Sequence, residues 1–191
     1  MSDTLDTLDM AAMGIFEGGY GRWSLGLDFI YGKTSDDFAA GGRLFDSFRF
    51  EQKQWILTPF AACRLIETER YRMDVFAGAR ITVLEAELTG RLTGPGEVKA
   101  ESDVDWVDPI IGIRGQAELG GNWFFRYNAD VGGFGASSDL TWQAIAGLGY
   151  HFNDHLSTAI GYRALGVDYD EGEFSMDTVS HGPVIGLEVR W

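Results

Sequence analysis

The chain contains one cysteine, Cys63, four prolines, three histidines and only three lysines. A lone cysteine rules out an intrachain disulfide and any zinc site built on paired thiolates; Cys63 reads most simply as a small apolar residue. No run of 18 apolar residues occurs, so no helix of this sequence can span a bilayer. The basic and apolar regions of a secretory signal are missing too: residues 1–10 carry three aspartates and no base. The chain then reads as either cytoplasmic or the mature part of an exported protein. A net charge of −14 leaves no basic surface for nucleic acid.

Two residue classes are abundant. Glycine, 26 of 191 residues, stands at roughly twice the usual share of about 7%, and aromatics reach 14%. With so little proline this composition suggests closely packed strands. The length suits one domain or one small barrel.

Alternation with period two dominates from Trp23 onward. It predicts eight strands, at about 22–33, 50–65, 71–89, 103–119, 122–133, 139–152, 155–169 and 178–191. In the sixth, Leu140, Trp142, Ala144, Ala146, Leu148, Tyr150 and Phe152 share one face, and Thr141, Gln143, Ile145, Gly147, Gly149 and His151 the other. Short turns at 67–70, 120–121 and 153–154 alternate with longer polar connections near 34–49, 90–102 and 170–177; the connection at 132–139 is intermediate. Short turns on one rim and long loops on the other are the mark of an up-and-down barrel in a membrane.

Alternation alone does not say which face meets water. Three features point to an apolar face turned outward. Aromatics gather at strand ends: Trp23, Tyr31, Trp55, Tyr71, Trp123, Trp142, Tyr150, Phe152 and Trp191, as membrane interfaces favour. The polar face is balanced in charge and its bases are all arginine: Asp28, Asp74, Asp108, Glu118, Asp130 and Glu188 against Arg64, Arg80, Arg114, Arg126, Arg163 and Arg190. Arginine suits bidentate carboxylate pairs with little water, whereas a solvated face would mix in lysine. The third feature is the end on an aromatic strand residue, Trp191. The expected architecture is an all-β, up-and-down antiparallel transmembrane β-barrel of about eight strands. Its lumen would be filled by an ion-pair network.

Several stretches carry a family likeness: WQAIAGLGY at 142–150, GYR at 161–163, DYD at 168–170, GPVIGL at 182–187, WVDPIIG at 106–112 and GGFG at 132–135. On these motifs the chain resembles the small OmpA-like outer-membrane barrel proteins of proteobacteria over nearly its whole length. The resemblance implies fold and location, not a reaction. It implies a Gram-negative outer membrane, contact with its lipid and lipopolysaccharide, and insertion by the barrel-assembly machinery through the C-terminal strand. It also implies that the chain is a mature or recombinant form. A closed barrel has no free edges, so a monomer is expected.

Residues 1–21 are read as a separate helical or plug segment preceding the barrel at 22–191. Ser2 suits a helix cap, with Asp3 and Asp6 in the first turns, and Leu5, Leu8, Ala12 and Ile15 or Phe16 recur at helical spacing. The alternative is a further strand from Met10 to Tyr20, turned at Gly21 and Arg22. Strand parity favours the helix, because eight strands return both chain ends to the same rim.

Candidate chemistry is sparse. His151 and His155 have H-x-x-x-H spacing, but Phe152 follows the first histidine and a turn separates the pair, so rim residues are expected rather than a metal site. Ser180 and His181, with Asp177 nearby, are the best catalytic candidates, yet adjacent strand residues point to opposite faces. The acidic stretch 168–177 lacks full calcium-loop spacing and reads as a solvated loop. No catalytic residue, cofactor or metal is expected. The leading expectation is a structural or interaction barrel with a largely closed lumen. The alternatives are a narrow passive pore for small solutes or ions, and a soluble barrel binding an apolar ligand.

Overall fold

The computed structural model describes residues 8–39, 45–92, 96–171 and 174–191. Among them the chain is all-β. Nine strands follow one another in a single sheet whose spatial order is the sequence order. They are β1 (Leu8–Tyr20), β2 (Trp23–Ala39), β3 (Phe45–Glu67), β4 (Tyr71–Leu92), β5 (Glu97–Gly120), β6 (Trp123–Gly133), β7 (Leu140–His151), β8 (Leu156–Glu171) and β9 (Phe174–Val189). From β5 to β9 the neighbours pair antiparallel, with a register shift between Glu118 and Gly120 in the β5–β6 ladder.

Local chemistry sets the short turns. Gly21 stands at φ 62° before Arg22, which suits a two-residue hairpin with glycine at its first central position. The Thr68 hydroxyl accepts the Tyr71 N–H at 3.0 Å. Asn153 accepts the N–H groups of His155 and Leu156, both at 2.9 Å, through its side-chain carbonyl.

The structure corrects the sequence at the N-terminus. In place of a helical or plug segment, residues 8–20 form β1, hydrogen-bonded to β2 in the same sheet; residues 1–7 lie outside the described residues. The sheet therefore has nine strands rather than eight. Gly14, Gly18 and Gly19 are poor helix formers, and an extended segment beside β2 satisfies its backbone groups through the ladder. With an odd number of strands, the start of β1 and the end of β9 do not return to the same rim.

Two compact units make up the chain. The larger comprises Glu17–Gly26, Pro59–Arg80 and Val107–Trp191; the smaller comprises the stretch ending at Phe16, Leu27–Thr58 and Ile81–Trp106. All three lysines fall in the smaller unit, where they meet carboxylates near the surface. Lys33 reaches Glu51 at 3.0 Å and Lys99 reaches Glu87 at 2.6 Å. The hydrogen bond from Lys99 holds the Glu87 carboxyl below its ordinary pKa, and the same bond raises that of Lys99. In the larger unit every lysine-or-arginine position is arginine.

Within the larger unit the two faces of the sheet are chemically inverted. The outer face exposes Trp23, Leu25, Ile111, Ile113, Leu148, Ile160, Ile185 and Leu187. The inner face buries Asp74, Arg80, Asp108, Gln116, Asp130, Thr141, Gln143, Ser157 and Arg163. It also holds an apolar patch of Ala62, Phe76 and Ile110 with Phe60 packed against it. Glycines make room for this bulk: a Cβ on Gly149 would lie 2.0 Å from the Phe124 ring, and one on Gly112 would lie 2.5 Å from Phe76.

Gly147 and Gly161 face each other across β7 and β8. A Cβ on Gly147 would lie 2.6 Å from the Ile160 carbonyl oxygen, and one on Gly161 would lie 2.4 Å from that of Ala146. These obstacles are backbone, so the strands themselves would have to part. Gly147→Ala is expected to cost roughly 1–3 kcal/mol, read as a lower denaturant midpoint in detergent micelles. An unchanged midpoint would mean that the strands do not approach this closely.

Candidate functional site: a polar face crossed by ion pairs

The polar inner face of the larger unit carries the densest chemistry. Some of its contacts reach over the sheet, between strands that are not neighbours. Arg114 on β5 donates Nη1 and Nη2 to the two oxygens of Glu17 on β1, at 2.8 and 2.5 Å. Its Nε and Nη2 reach Asp74 of β4 at 3.2 Å, and Nη2 also donates to Ser24 at 3.3 Å. The other oxygen of Asp74 accepts from Arg64 of β3 at 3.0 Å, and Arg64 continues to Glu67 at 3.1 Å. Three carboxylates, Glu17, Asp74 and Glu67, thus hold two arginines in one chain of contacts. Arg114 also lies 5.0 Å over the Phe60 ring, in cation–π range.

A second group is the most deeply buried. Arg80 of β4 donates to Asp130 of β6 at 2.7 Å and to the Thr141 hydroxyl of β7 at 2.8 Å. The side chains of Arg80 and Asp130 are only 1% and 2% exposed. A third group lies nearer the short turns. Glu188 of β9 accepts from Arg190 at 2.8 Å and, through a short bond, from Arg126 of β6. The Gln116 carbonyl oxygen accepts from both Arg126 and Arg72 at 2.8 Å, and its amide donates to Glu118 at 2.7 Å. The Phe124 ring lies under Arg126 and stacks on His151.

The predicted lumen residues are therefore distributed as follows. Arg64, Asp74 and Arg114 share one group, Arg80 and Asp130 a second, and Arg126, Glu188 and Arg190 a third. Glu118 lies 3.5 Å from His151. Arg163 is buried and bonds to the Gln143 side chain. Asp108 accepts the Ser138 backbone N–H at 2.8 Å and fixes the connection between β6 and β7. Asp28 is buried in the smaller unit. Sequence reasoning missed Glu17, because it lay in the presumed plug. Arg72, Gln116 and Gln143 stand on the polar face by parity, but the expected ion-pair network did not include them.

The aromatic residues at strand ends mark two levels on the outer face. Trp123 and Tyr150 face each other across β6 and β7, with ring centroids 5.1 Å apart, and Phe152 adjoins Tyr150. Nine positions along β7, from 150 to 142, lead to half-buried Trp142, which faces Val131. Trp23, Trp55 and Trp191 are exposed and Tyr31 packs against Trp55 at 4.4 Å. Tyr71 is half-buried, and its hydroxyl pairs with that of Tyr127 at 2.7 Å.

The remaining histidine chemistry is separated. His151 bonds to the buried Ser157 at 3.1 Å on the inner face. It borders an open cavity of about 390 Å³ that Glu118, Asn153, Asp154 and Arg190 also line. His155 contacts the Arg190 carbonyl. His181 pairs with the Tyr162 hydroxyl at 2.5 Å on the outer face, while Ser180 lies opposite Leu165. Among the described residues no group of three or more His, Cys, Asp or Glu side chains is arranged to hold a metal ion.

Comparison of the chain with protein-family models, with curated proteins and with solved structures finds no match.

Proposed function

We propose that this chain is a small barrel protein of a Gram-negative outer membrane, of the OmpA-like kind. Its role is structural and interactive, and its interior is closed by ion pairs. The observation that carries the reading is the inversion of the two faces. In water, a sheet that buries Arg80, Asp130, Asp74 and Gln116 while exposing Ile185, Leu187, Ile160, Leu25 and Trp23 has its solvation reversed. In a bilayer the same arrangement is favourable, because lipid covers the apolar face and ion pairs neutralise the other.

The spacing of the aromatics fits. A tilted strand crosses the hydrocarbon layer in about 9–11 residues, and the stretch of β7 from Trp142 to Tyr150, both counted, is nine residues. β3, β4 and β5, at 23, 22 and 24 residues, are about twice the length a crossing needs. Their surplus length supplies strand surface beyond the bilayer for contact with lipopolysaccharide or a partner. The ion pairs that cross the inner face favour a closed interior over a conducting one, so the structural reading ranks above the pore.

Flotation with phospholipid vesicles tests the location. The protein refolded into vesicles should float with them and stay there through an alkaline wash. Recovery as a detergent-free monomer in the aqueous fraction would overturn the membrane reading and favour the soluble barrel.

A further inference from the structure

We propose that the short-turn end of the inner face binds a small zwitterion carrying a phosphate beside an amine. Arg72, Arg126 and Arg190 hold the phosphate, and Glu118 and Asp154 hold the amine. The site goes beyond the structural role above and stands whichever face of the sheet meets lipid.

The cationic half comes from three strands of the larger unit. Arg72 of β4 and Arg126 of β6 both donate to one oxygen, the side-chain carbonyl of Gln116, at 2.8 Å. Their guanidinium groups therefore lie within twice that distance of each other. Arg126 continues to Glu188 of β9, whose other oxygen accepts from Arg190, just past the end of β9, at 2.8 Å. Three like charges thus meet one carboxylate and one neutral amide. Arg126 and Arg190 lie close enough to Arg72 to oppose its charge. Crowding of this kind favours a bound anion. Arg190 also offers such an anion a donor: its Nη2 is buried and has no hydrogen-bond partner among the described residues. A buried charged donor left unmet is costly.

The acidic half lies one amide away. The Gln116 side chain that accepts from the arginines donates to Glu118 at 2.7 Å. Glu118 lines the open cavity of about 390 Å³ together with Asn153, Asp154, His151 and Arg190. The cavity is of the size of small-ligand sites and gives a solute a way in from the short-turn rim. The one imidazole beside Glu118, His151, stands 3.5 Å from it and is already bonded through Nδ1 to Ser157.

Charge and shape select the ligand. Walls of opposite sign stand a side chain apart, so Glu118 and Asp154 repel a simple dianion and the arginines repel a simple amine. A phosphate offers three oxygens to three guanidinium groups, where a carboxylate offers two. An amine on a two-carbon linker then spans the width of the Gln116 amide to reach Glu118. Phosphoethanolamine has this form, whether free in solution or as the headgroup of a lipid.

Calorimetric titration, with phosphorus NMR line widths on the same sample, tests this. The full chain is folded in octyl glucoside micelles, which carry no phosphate, and titrated with phosphoethanolamine, inorganic phosphate and ethanolamine at constant ionic strength. Phosphoethanolamine should bind with a Kd below about 1 mM, and each of the other two at least tenfold more weakly. Arg72→Gln should weaken phosphoethanolamine at least tenfold with the circular dichroism unchanged. Asp154→Asn, in an exposed turn, should weaken it several-fold and leave inorganic phosphate as it was, which keeps the test open should Arg72→Gln not fold. Absence of binding by both methods, or equal affinity in the parent and the variants, would overturn the site. Inorganic phosphate binding as tightly as phosphoethanolamine would overturn the amine half, and ethanolamine doing so would overturn the arginine half. Vesicles separate the two sources of the ligand. Protein in phosphatidylglycerol should bind soluble phosphoethanolamine. Loss of that binding in phosphatidylethanolamine identifies a lipid headgroup as the occupant, and its retention identifies a solute.

Discussion

Replacing Arg80 by methionine is expected to destabilise the folded chain by about 3–5 kcal/mol, the largest loss from any single charge removal in this sheet. The guanidinium is enclosed, donates to Asp130 and Thr141, and links β4 to β6 and β7. Methionine keeps much of the volume but leaves the Asp130 carboxylate without its arginine in a place that water does not reach. The double change Arg80→Met with Asp130→Leu should recover most of the loss, because removing both charges also removes the desolvation cost. Urea unfolding in micelles measures both variants. A single variant within 1 kcal/mol of the parent would mean that the pair is hydrated, and the inner face would then be a wet channel.

Arg114→Ala is expected to act on conduction as well as stability. Arg114 binds Glu17, Asp74 and Ser24 together, so its loss frees β1 from the strands opposite. Asp74 retains Arg64, whereas Glu17 loses its ion pair with Arg114. Both side chains are partly exposed, which moderates the penalty to about 2–3 kcal/mol. The backbone amides of β1 around Glu17 should exchange with deuterium at least tenfold faster, since each 1.4 kcal/mol is a factor of ten. In planar bilayers the parent should pass little current and the variant a measurable one. Equal, steady currents from both would favour the pore reading.

Much of the architecture was legible because period-two alternation is a direct record of two-faced strands. The eight strands from Trp23 onward contain the segments where the alternation puts them, but the stretches expected as long polar connections near 34–49, 90–102 and 170–177 are largely strand: β2 runs on to Ala39, β3 begins at Phe45, β5 at Glu97 and β9 at Phe174. The parity of the charged set was legible too, since the structure buries Asp74, Arg80, Asp108, Asp130 and Arg163 on one side of the sheet. β1 was not, because Leu5, Leu8, Ala12 and Ile15 fit a helical period while Gly14, Gly18 and Gly19 interrupt the strand pattern. Missing β1 hid Glu17, and with it the ion pair that reaches farthest over the inner face. The apolar patch of Phe60, Phe76 and Ile110 was also missed. Its residues occupy the parity of the polar face, and only the paired glycines opposite them, such as Gly112 against Phe76, signal that bulk belongs there. The pairing pattern among the charges could not be read at all, since it depends on curvature that brings β1 to β5 and β6 to β9.

The most direct test of the central claim is electrophoretic mobility of the detergent-folded protein, loaded cold or after boiling, with circular dichroism on the same sample. An ion-paired barrel with a lipid-facing surface should be β-rich and migrate as a compact species when cold, and shift to the position of the unfolded chain when boiled. A β-rich sample that stays folded and monomeric without detergent, with the same mobility in both lanes, would contradict the outward orientation of the apolar face.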